Sequence, residues 1–270
     1  MVLETLLGVV IVTSFALLGY RFKAFDLKGI IAGLILVYFV LFSTGLRWVL
    51  IVLAFVIVGS LFTKFGKNKK RLAIKDSVYF TRSWRNVLGN GMVPAIFSGL
   101  EMVSSIYKVD GSLFVIAFGS SLATACADTL ATEIGLLSKE KPRYVLNPKK
   151  YAIPGSSGGI TGLGTLASLL GSSIIALVFI FVRIMDSSLA IFLALLFSGF
   201  LGSLVDSILG QTLQFKGLCS ICNEEIENKI HHKNKAKRIK GIEVIDNNVV
   251  NLLAGFFGAI FGIVIYLLLR

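Results

Sequence analysis

The chain carries little charge for its length. Only 16% of its 270 residues are Asp, Glu, Lys or Arg, and 55% are hydrophobic, whereas soluble globular domains carry about 25% charge. That excludes an ordinary soluble fold. Cysteines number three, one of them (Cys126) inside an apolar run, which excludes a disulfide framework and leaves Cys126 as a small core residue. No polar stretch is long enough to build a domain of its own, since the longest, about 215–247, is short and lysine-rich. The first apolar run lacks both a basic lead-in and a small-residue cleavage site before Tyr20, so it is expected to remain as a helix rather than leave as a signal peptide. The basic loops lack interleaved aromatics of the kind that stack on bases, which argues against nucleic acid as a partner.

What the chain has is apolar runs. Eight of them, near 2–20, 27–44, 46–63, 86–107, 112–137, 159–182, 188–213 and 248–269, approach the roughly 20 residues that cross a ~30 Å hydrocarbon core. The expected fold is all-α: a single polytopic transmembrane domain over 1–270 with about eight membrane helices. Its connections alternate between two faces, and 23 of the 27 Lys and Arg residues fall on one of them. The positive-inside rule makes that face cytoplasmic and puts both termini outside, in a multi-pass protein of the cell membrane. The cytoplasmic loops are then 64–85, 138–158 and 214–247. The net charge of +12 reflects this topology and contact with anionic headgroups of the bilayer. Spans within 1–64 hold no ionisable residue at their centres and read as scaffold, while 86–270 bears the site.

With acids scarce, those inside apolar runs stand out. In the fifth span Ser121, Thr124, Asp128, Thr132 and Gly135 recur at helical spacing as one small, polar stripe. The seventh repeats the design with Gly199, Ser203, Asp206, Gly210 and Gln214, and Ala127-Asp128-Thr129 matches Val205-Asp206-Ser207. Both spans run in the same direction, so the two aspartates reach one depth, as in a parallel internal repeat. Two tight packing faces would explain the small residues alone, but burying two aspartates costs several kcal/mol without compensation. A bound Mg²⁺ would compensate. Glu133 lies about 140° round the helix from Asp128 and joins the stripe only if the helix unwinds; otherwise it is free to hold a basic loop residue. Between the two spans come a basic loop with Lys149 and Lys150 and the run Gly155-Ser156-Ser157-Gly158-Gly159, whose amides at a cytoplasmic helix start form an anion site. Asn86 and Asn90 share a helix face at the cytoplasmic entrance, serving either helix bonding or substrate. Glu101 sits toward the outer face and is left out of the site.

The last loop holds Cys219-x2-Cys222 followed by His231-His232. Cys219, Cys222 and His231 are candidate ligands for structural Zn²⁺, although adjacent histidines are expected to point apart. The final span opens with Asn247, Asn248 and Asn251 and continues with Gly255, Gly258 and Gly262, a close-packing stripe with polar groups at its cytoplasmic end.

Several motifs in order resemble an integral membrane family that includes the plant phytyl-phosphate kinase. They are Phe25-Asp26-Leu27-Lys28-Gly29, Gly59 to Lys64, Asn90-Gly91, Ala127-Asp128-Thr129 through Glu133-Ile134-Gly135, Gly155 to Gly159, Gly202-Ser203-Leu204-Val205-Asp206-Ser207, and Asp246-Asn247 with Val250-Asn251. Asp128-Thr129, Pro148-Lys149-Lys150 and Gly158-Gly159 are more distantly similar to motifs of dolichol kinases and CDP-diacylglycerol synthases. The resemblance implies phosphorylation of an isoprenoid monophosphate by a nucleoside triphosphate, with CTP favoured. Asp128 and Asp206 would bind Mg²⁺, with Glu133 as a further catalytic residue. Donor and acceptor would be held by Arg82, Asn86, Asn90, Lys149, Lys150, Ser156, Ser157, Gly158, Gly159, Ser207, Gln211, Asn247 and Asn251, with the isoprenoid tail between helices. Alternatives are a CTP-dependent cytidylyltransferase and a transporter or lipid flippase.

Overall fold

The computed structural model describes residues 2–73, 81–186 and 188–270; residues 74–80, part of the first basic loop, lie outside the described residues. Among the described residues, eight helices are long and apolar enough to cross a membrane: α1 (Val2–Arg21), α2 (Leu27–Thr44), α3 (Leu46–Lys64), α5 (Trp84–Ile106), α6 (Ser112–Gly135), α7 (Gly162–Phe181), α8 (Leu189–Thr212) and α9 (Asn247–Leu269). A short helix, α4 (Lys67–Ala73), follows α3. The expected spans are thus found within a few residues. The starts obey capping chemistry: side-chain oxygens of Asp26, Thr161, Ser188 and Asp246 accept the otherwise unpaired amides of Gly29, Gly164, Ile191 and Asn248.

Helix α6 is the most enclosed and organises the bundle. Its residues are small, and two of its buried hydroxyls are satisfied within the helix, Ser121 donating to Phe118 O (2.8 Å) and Thr124 to Ser120 O (3.0 Å), so these polar groups can face neighbouring helices. A Cβ at Gly199 would lie 2.9 Å from Ala123 Cβ, one at Gly202 would meet Thr124, and one at Gly119 would meet Leu195. The paired positions rise together in number, so α6 and α8 run parallel, as the repeated aspartate motif requires. The opposite trend, Gly164 against Ala131 and Gly171 against Cys126 and Ala127, makes α7 antiparallel to α6. Gly258 against Thr124 and Gly262 against Ser120 do the same for α9. On the other side, Asp26 N donates to Arg82 O (3.1 Å) and Arg82 N to Ala24 O (2.9 Å), tying the start of α2 to the start of α5. Gly29 is required there, because a Cβ would sit 2.7 Å from Arg82 O. One hydrophobic cluster runs through side chains of all eight long helices.

Two of the connecting loops carry short antiparallel strands. Between α6 and α7, β1 (Arg143–Tyr144), β2 (Asn147–Tyr151) and β3 (Gly159–Ile160) form a sheet in the order β2-β1-β3, so α7 begins at Gly162 rather than 159. Between α8 and α9, β4 (Lys216–Leu218), β5 (Glu225–Ile226) and β8 (Lys237–Lys240) form a second sheet, and β6 (Ile230–His231) pairs with β7 (Asn234–Lys235) as a hairpin. Both inserts lie at the end of the bundle where α6 and α8 terminate.

Candidate functional site

At that end a polar cavity of about 720 Å³ opens between α5, α6, α7, α8, α9 and the two inserts. Asp128 and Asp206, both half-buried, face each other across it within hydrogen-bonding reach. With its amide oriented to satisfy its neighbours, Asn251 donates to Asp206 Oδ2 (3.1 Å) and Asn247 O (2.9 Å), and accepts from Asn90 Nδ2 (3.1 Å). Asn90 Nδ2 also reaches Asn86 O (3.0 Å). A chain of amides from two helices, α5 and α9, therefore ends on Asp206 of the aspartate pair. Pro94, one turn beyond Asn90 in α5, has no N–H to give the Asn90 carbonyl, which frees that acceptor beside the cavity. Asp246 caps α9 and pairs with Arg85 at 2.7 Å, fixing the mouth.

The sequence-predicted residues divide into those that line the cavity and those that do not. Asp128, Glu133, Asp206, Arg82, Asn86, Asn90, Ser156, Ser157, Gly158, Gly159, Ser207, Asn247 and Asn251 all line it. Lys149 and Lys150 do not. They sit on β2, every residue of which is exposed, and Lys150 extends over the Tyr144 ring (5.9 Å) rather than inward. Gln211 does not line it either; its Oε1 accepts from Leu146 N (2.9 Å) and so pins the β1–β2 turn to α8. Gly158, at φ +83°, lies so close to α8 that a Cβ would strike Gln211 and come within 3.0 Å of Ser207 O, so only glycine fits.

The anion site expected of the glycine run is arranged differently. Ser157 N (2.8 Å) and Ser157 Oγ (2.6 Å) both donate to the Glu227 carboxylate, which also accepts from Gln214 Nε2 (2.9 Å). Gly159 N is engaged by Ser156 O (3.1 Å). Lys216, buried below, places Nζ 3.9 Å from Glu227, 3.6 Å from Glu225 and 3.5 Å from Ser157 O. Glu227, which also lines the cavity, went unnoticed in the sequence because it is one of several acids in a charged loop.

Helix α6 does not unwind at Glu133. It continues to Gly135, and Glu133 turns away from the aspartates to pair with Lys70 of α4 (2.7 Å) while accepting from Thr63 (2.7 Å). The basic partner considered for it is therefore Lys70. The two histidines also differ from expectation. They converge, with ring centroids 4.1 Å apart, because His232 and Lys233 adopt left-handed φ of 50° and 64° and fold the hairpin tip back.

Beside the polar cavity lies an apolar groove between α1, α2, α3 and α5, lined by residues such as Val12, Phe15, Ile30, Leu36, Val52 and Phe55. Arg82, Asn86 and Asn90 line both spaces. Arg82 stands at the junction, its guanidinium 5.5 Å from the Phe55 ring centroid and against Gly59, where a side chain would displace it. The first three spans are therefore part of the wall as well as scaffold.

Residues 10–259 match the model of the integral membrane proteins designated DUF92. The chain belongs to that family. Members similar to it include an uncharacterized membrane protein of Methanocaldococcus jannaschii, 30% identical over 98% of this chain and 97% of its own. Protein PGR of Arabidopsis thaliana is 30% identical over 96% of each chain. The chloroplastic protein VTE6 of Arabidopsis thaliana is 28% identical over 76% of this chain and 61% of its own. No solved structure matches the chain.

Proposed function

We propose that this protein is a Mg²⁺-dependent phosphotransferase that converts an isoprenoid monophosphate, phytyl- or geranylgeranyl-like, to the diphosphate with CTP or another nucleoside triphosphate as donor. The observation that carries this reading is the junction of two unlike chambers: a polar cavity holding facing carboxylates meets an apolar groove at Arg82, Asn86 and Asn90. A polar chamber alone would serve a soluble phosphate, and a groove alone would serve any lipid. Their contact suits an amphiphile with an anionic head and a long tail.

In this reading Arg82 receives the acceptor phosphate and the tail enters the groove. The facing carboxylates of Asp128 and Asp206 offer the hard oxygen ligands that Mg²⁺ prefers, and the ion would supply positive charge to offset that of the donor phosphates. Asn251 and Asn90 hold Asp206 in orientation. Gly158 and the α7 start border the donor phosphates beside the Ser157–Glu227 bond, with Lys149 and Lys150 adding positive potential at the approach. An acceptor phosphate oxygen attacks the γ-phosphorus, the bridging bond from that phosphorus to the β-phosphate oxygen breaks, and CDP leaves. The nucleophile is already anionic, so no side chain need take a proton, and catalysis lies in positioning and charge. The weight of basic residues on this face supports a site that opens to the cytoplasmic side.

A transporter would place its carboxylates near mid-bundle, whereas Asp128 and Asp206 stand about two turns from the ends of α6 and α8. The test uses purified protein with Mg²⁺, CTP labelled at the γ-phosphate and phytyl monophosphate. Label in a lipid diphosphate with release of CDP is expected. CDP-lipid as the sole product would replace the kinase with a cytidylyltransferase, and no transfer from any nucleotide to any lipid phosphate would remove the enzymatic reading.

A further inference from the structure

The insert between α8 and α9 contains a second cluster that the phosphate chemistry does not use. Its first half is the turn from β4 to β5. There Asn223 N donates to Cys219 O (3.0 Å), Cys219 N donates to Glu224 O (3.0 Å), and Asn223 takes a left-handed φ of 54°. This tight turn brings Cys219 and Cys222 to one side, with Ile221 N donating to Cys219 Sγ at 3.4 Å. An amide aimed at a sulfur stabilises it as thiolate. The second half is the hairpin of β6 and β7, whose left-handed tip turns His232 back beside His231.

The two halves meet. One donor atom from each of Cys219, Cys222, His231 and His232 lies within 4.8 Å of the other three, and Cys222 Sγ is 3.7 Å from His231 Nδ1. A tetrahedral zinc ion with Zn–S of about 2.3 Å and Zn–N of about 2.0–2.1 Å needs neighbouring donors roughly 3.3–3.8 Å apart. Small side-chain rotations close the remaining distance. We propose that Cys219, Cys222, His231 and His232 form a structural Zn²⁺ site. Two thiolates and two neutral imidazoles cancel the charge of the ion, and four protein ligands leave no open position for substrate, which marks the site as structural rather than catalytic.

The metal would clip the β4–β5 turn to the β6–β7 hairpin. Glu225, Glu227 and Asn228 lie on the chain between those two pairs of ligands. Glu227 is the carboxylate bound to Ser157 N and Oγ, and Glu227 and Asn228 line the polar cavity. The clip therefore sets the position of the cavity's outer wall. Without it, an insert this short and lysine-rich has few apolar side chains to hold that wall in place.

The proposal is independent of which reaction the cavity performs, and metal content tests it directly. Full-length protein purified in detergent without chelator should hold about one zinc per chain by elemental analysis. Cys219→Ser and Cys222→Ser should each lose most of it, while Cys126→Ala, altering the buried cysteine of α6, should keep it. Replacing zinc with Co²⁺ should give thiolate charge-transfer and tetrahedral ligand-field bands, and His232→Ala should alter those bands. Trypsin should cut the insert at Lys229–Lys240 much faster after metal is stripped, with protection restored by added Zn²⁺, a readout that needs no variant to fold. Wild-type protein supplied with Zn²⁺ yet holding less than about a tenth of an ion per chain, or cleaved equally with and without metal, overturns the site.

Discussion

Glu133 and Lys70 offer the sharpest test of the structure, because the pair separates a structural acid from a reactive one. Their ion pair spans 2.7 Å with side chains 6% and 0% exposed. Lys70 Nζ also donates to Phe62 O, and the single Thr63 hydroxyl hydrogen has two acceptors in reach, Glu133 (2.7 Å) and Gly59 O (2.8 Å). The group binds α4, α3 and α6 together. Removing one member strands the other's charge in a buried place, a change that costs about 3–5 kcal/mol, or roughly two to four powers of ten in the folded-to-unfolded ratio. Removing both leaves no charge behind and is often neutral. We therefore expect Glu133→Leu and Lys70→Met each to be strongly destabilised and the double variant to recover most of the loss; Thr63 keeps its bond to Gly59 O throughout. Reversible denaturation in detergent micelles, followed by Trp fluorescence, measures the cycle. Turnover per folded molecule should stay within a few-fold of the parent in the double variant. Single variants within about 0.5 kcal/mol of the parent, or a double variant that sums the two losses, would refute the pair as a coupled buried anchor. Lost turnover in a stable double variant would return Glu133 to the chemistry.

The remaining expectations concern the two chambers and their orientation. Asp128→Asn and Asp206→Asn should each lower Mg²⁺-dependent transfer by about 10²–10³-fold, the scale of removing one preorganised charge-stabilising group, yet fold well because facing carboxylates repel when metal is absent; near-parent rates would leave them as packing residues. Gly33 of α2 lines the groove with nothing within 4 Å of an added Cβ, so Gly33→Phe should be tolerated and should raise KM for a long-tailed phosphate while sparing a short-chain one. Equal effects on both acceptors would place the tail elsewhere. A cysteine at Lys149, on the exposed strand β2, should react with an impermeant maleimide only from the cytoplasmic side, with the parent protein as blank. Labelling from outside would invert the orientation.

The membrane helices were legible because a single quantity, apolar length, decides them, and the aspartate motifs were legible because their spacing repeats on two helices. Register followed from the same small residues: Gly199 and Gly202 have no side chain to separate α8 from Ala123 and Thr124 of α6, so the stripe that holds an aspartate also dictates which helix it faces. The position of Lys149 and Lys150 outside the cavity lining was not legible, because neither charge nor motif gives the direction of a side chain on β2. On a strand, direction is set by pairing, and the pairing of β1 with β2 and β3 joins residues whose order carries no periodic signal.

The same distinction explains the two clusters built by the inserts. Glu227 reaches Ser157 across 70 residues of sequence, and His232 reaches its neighbours only by entering a left-handed conformation that a non-glycine residue seldom adopts. Neither fact is encoded in a local pattern of hydrophobicity. Each is encoded in what surrounds it: the Cys219 turn and the β6–β7 tip each leave a donor facing the other, and Ser157, Gln214 and Lys216 together present hydrogens and positive charge to one carboxylate. Motifs with their own periodicity thus declare where the buried carboxylates are, whereas the wall that closes over them is assembled from turns. The insert before α7 and the insert after α8 meet at Ser157 and Glu227, so a change in either insert is transmitted to the mouth of the cavity without touching Asp128 or Asp206.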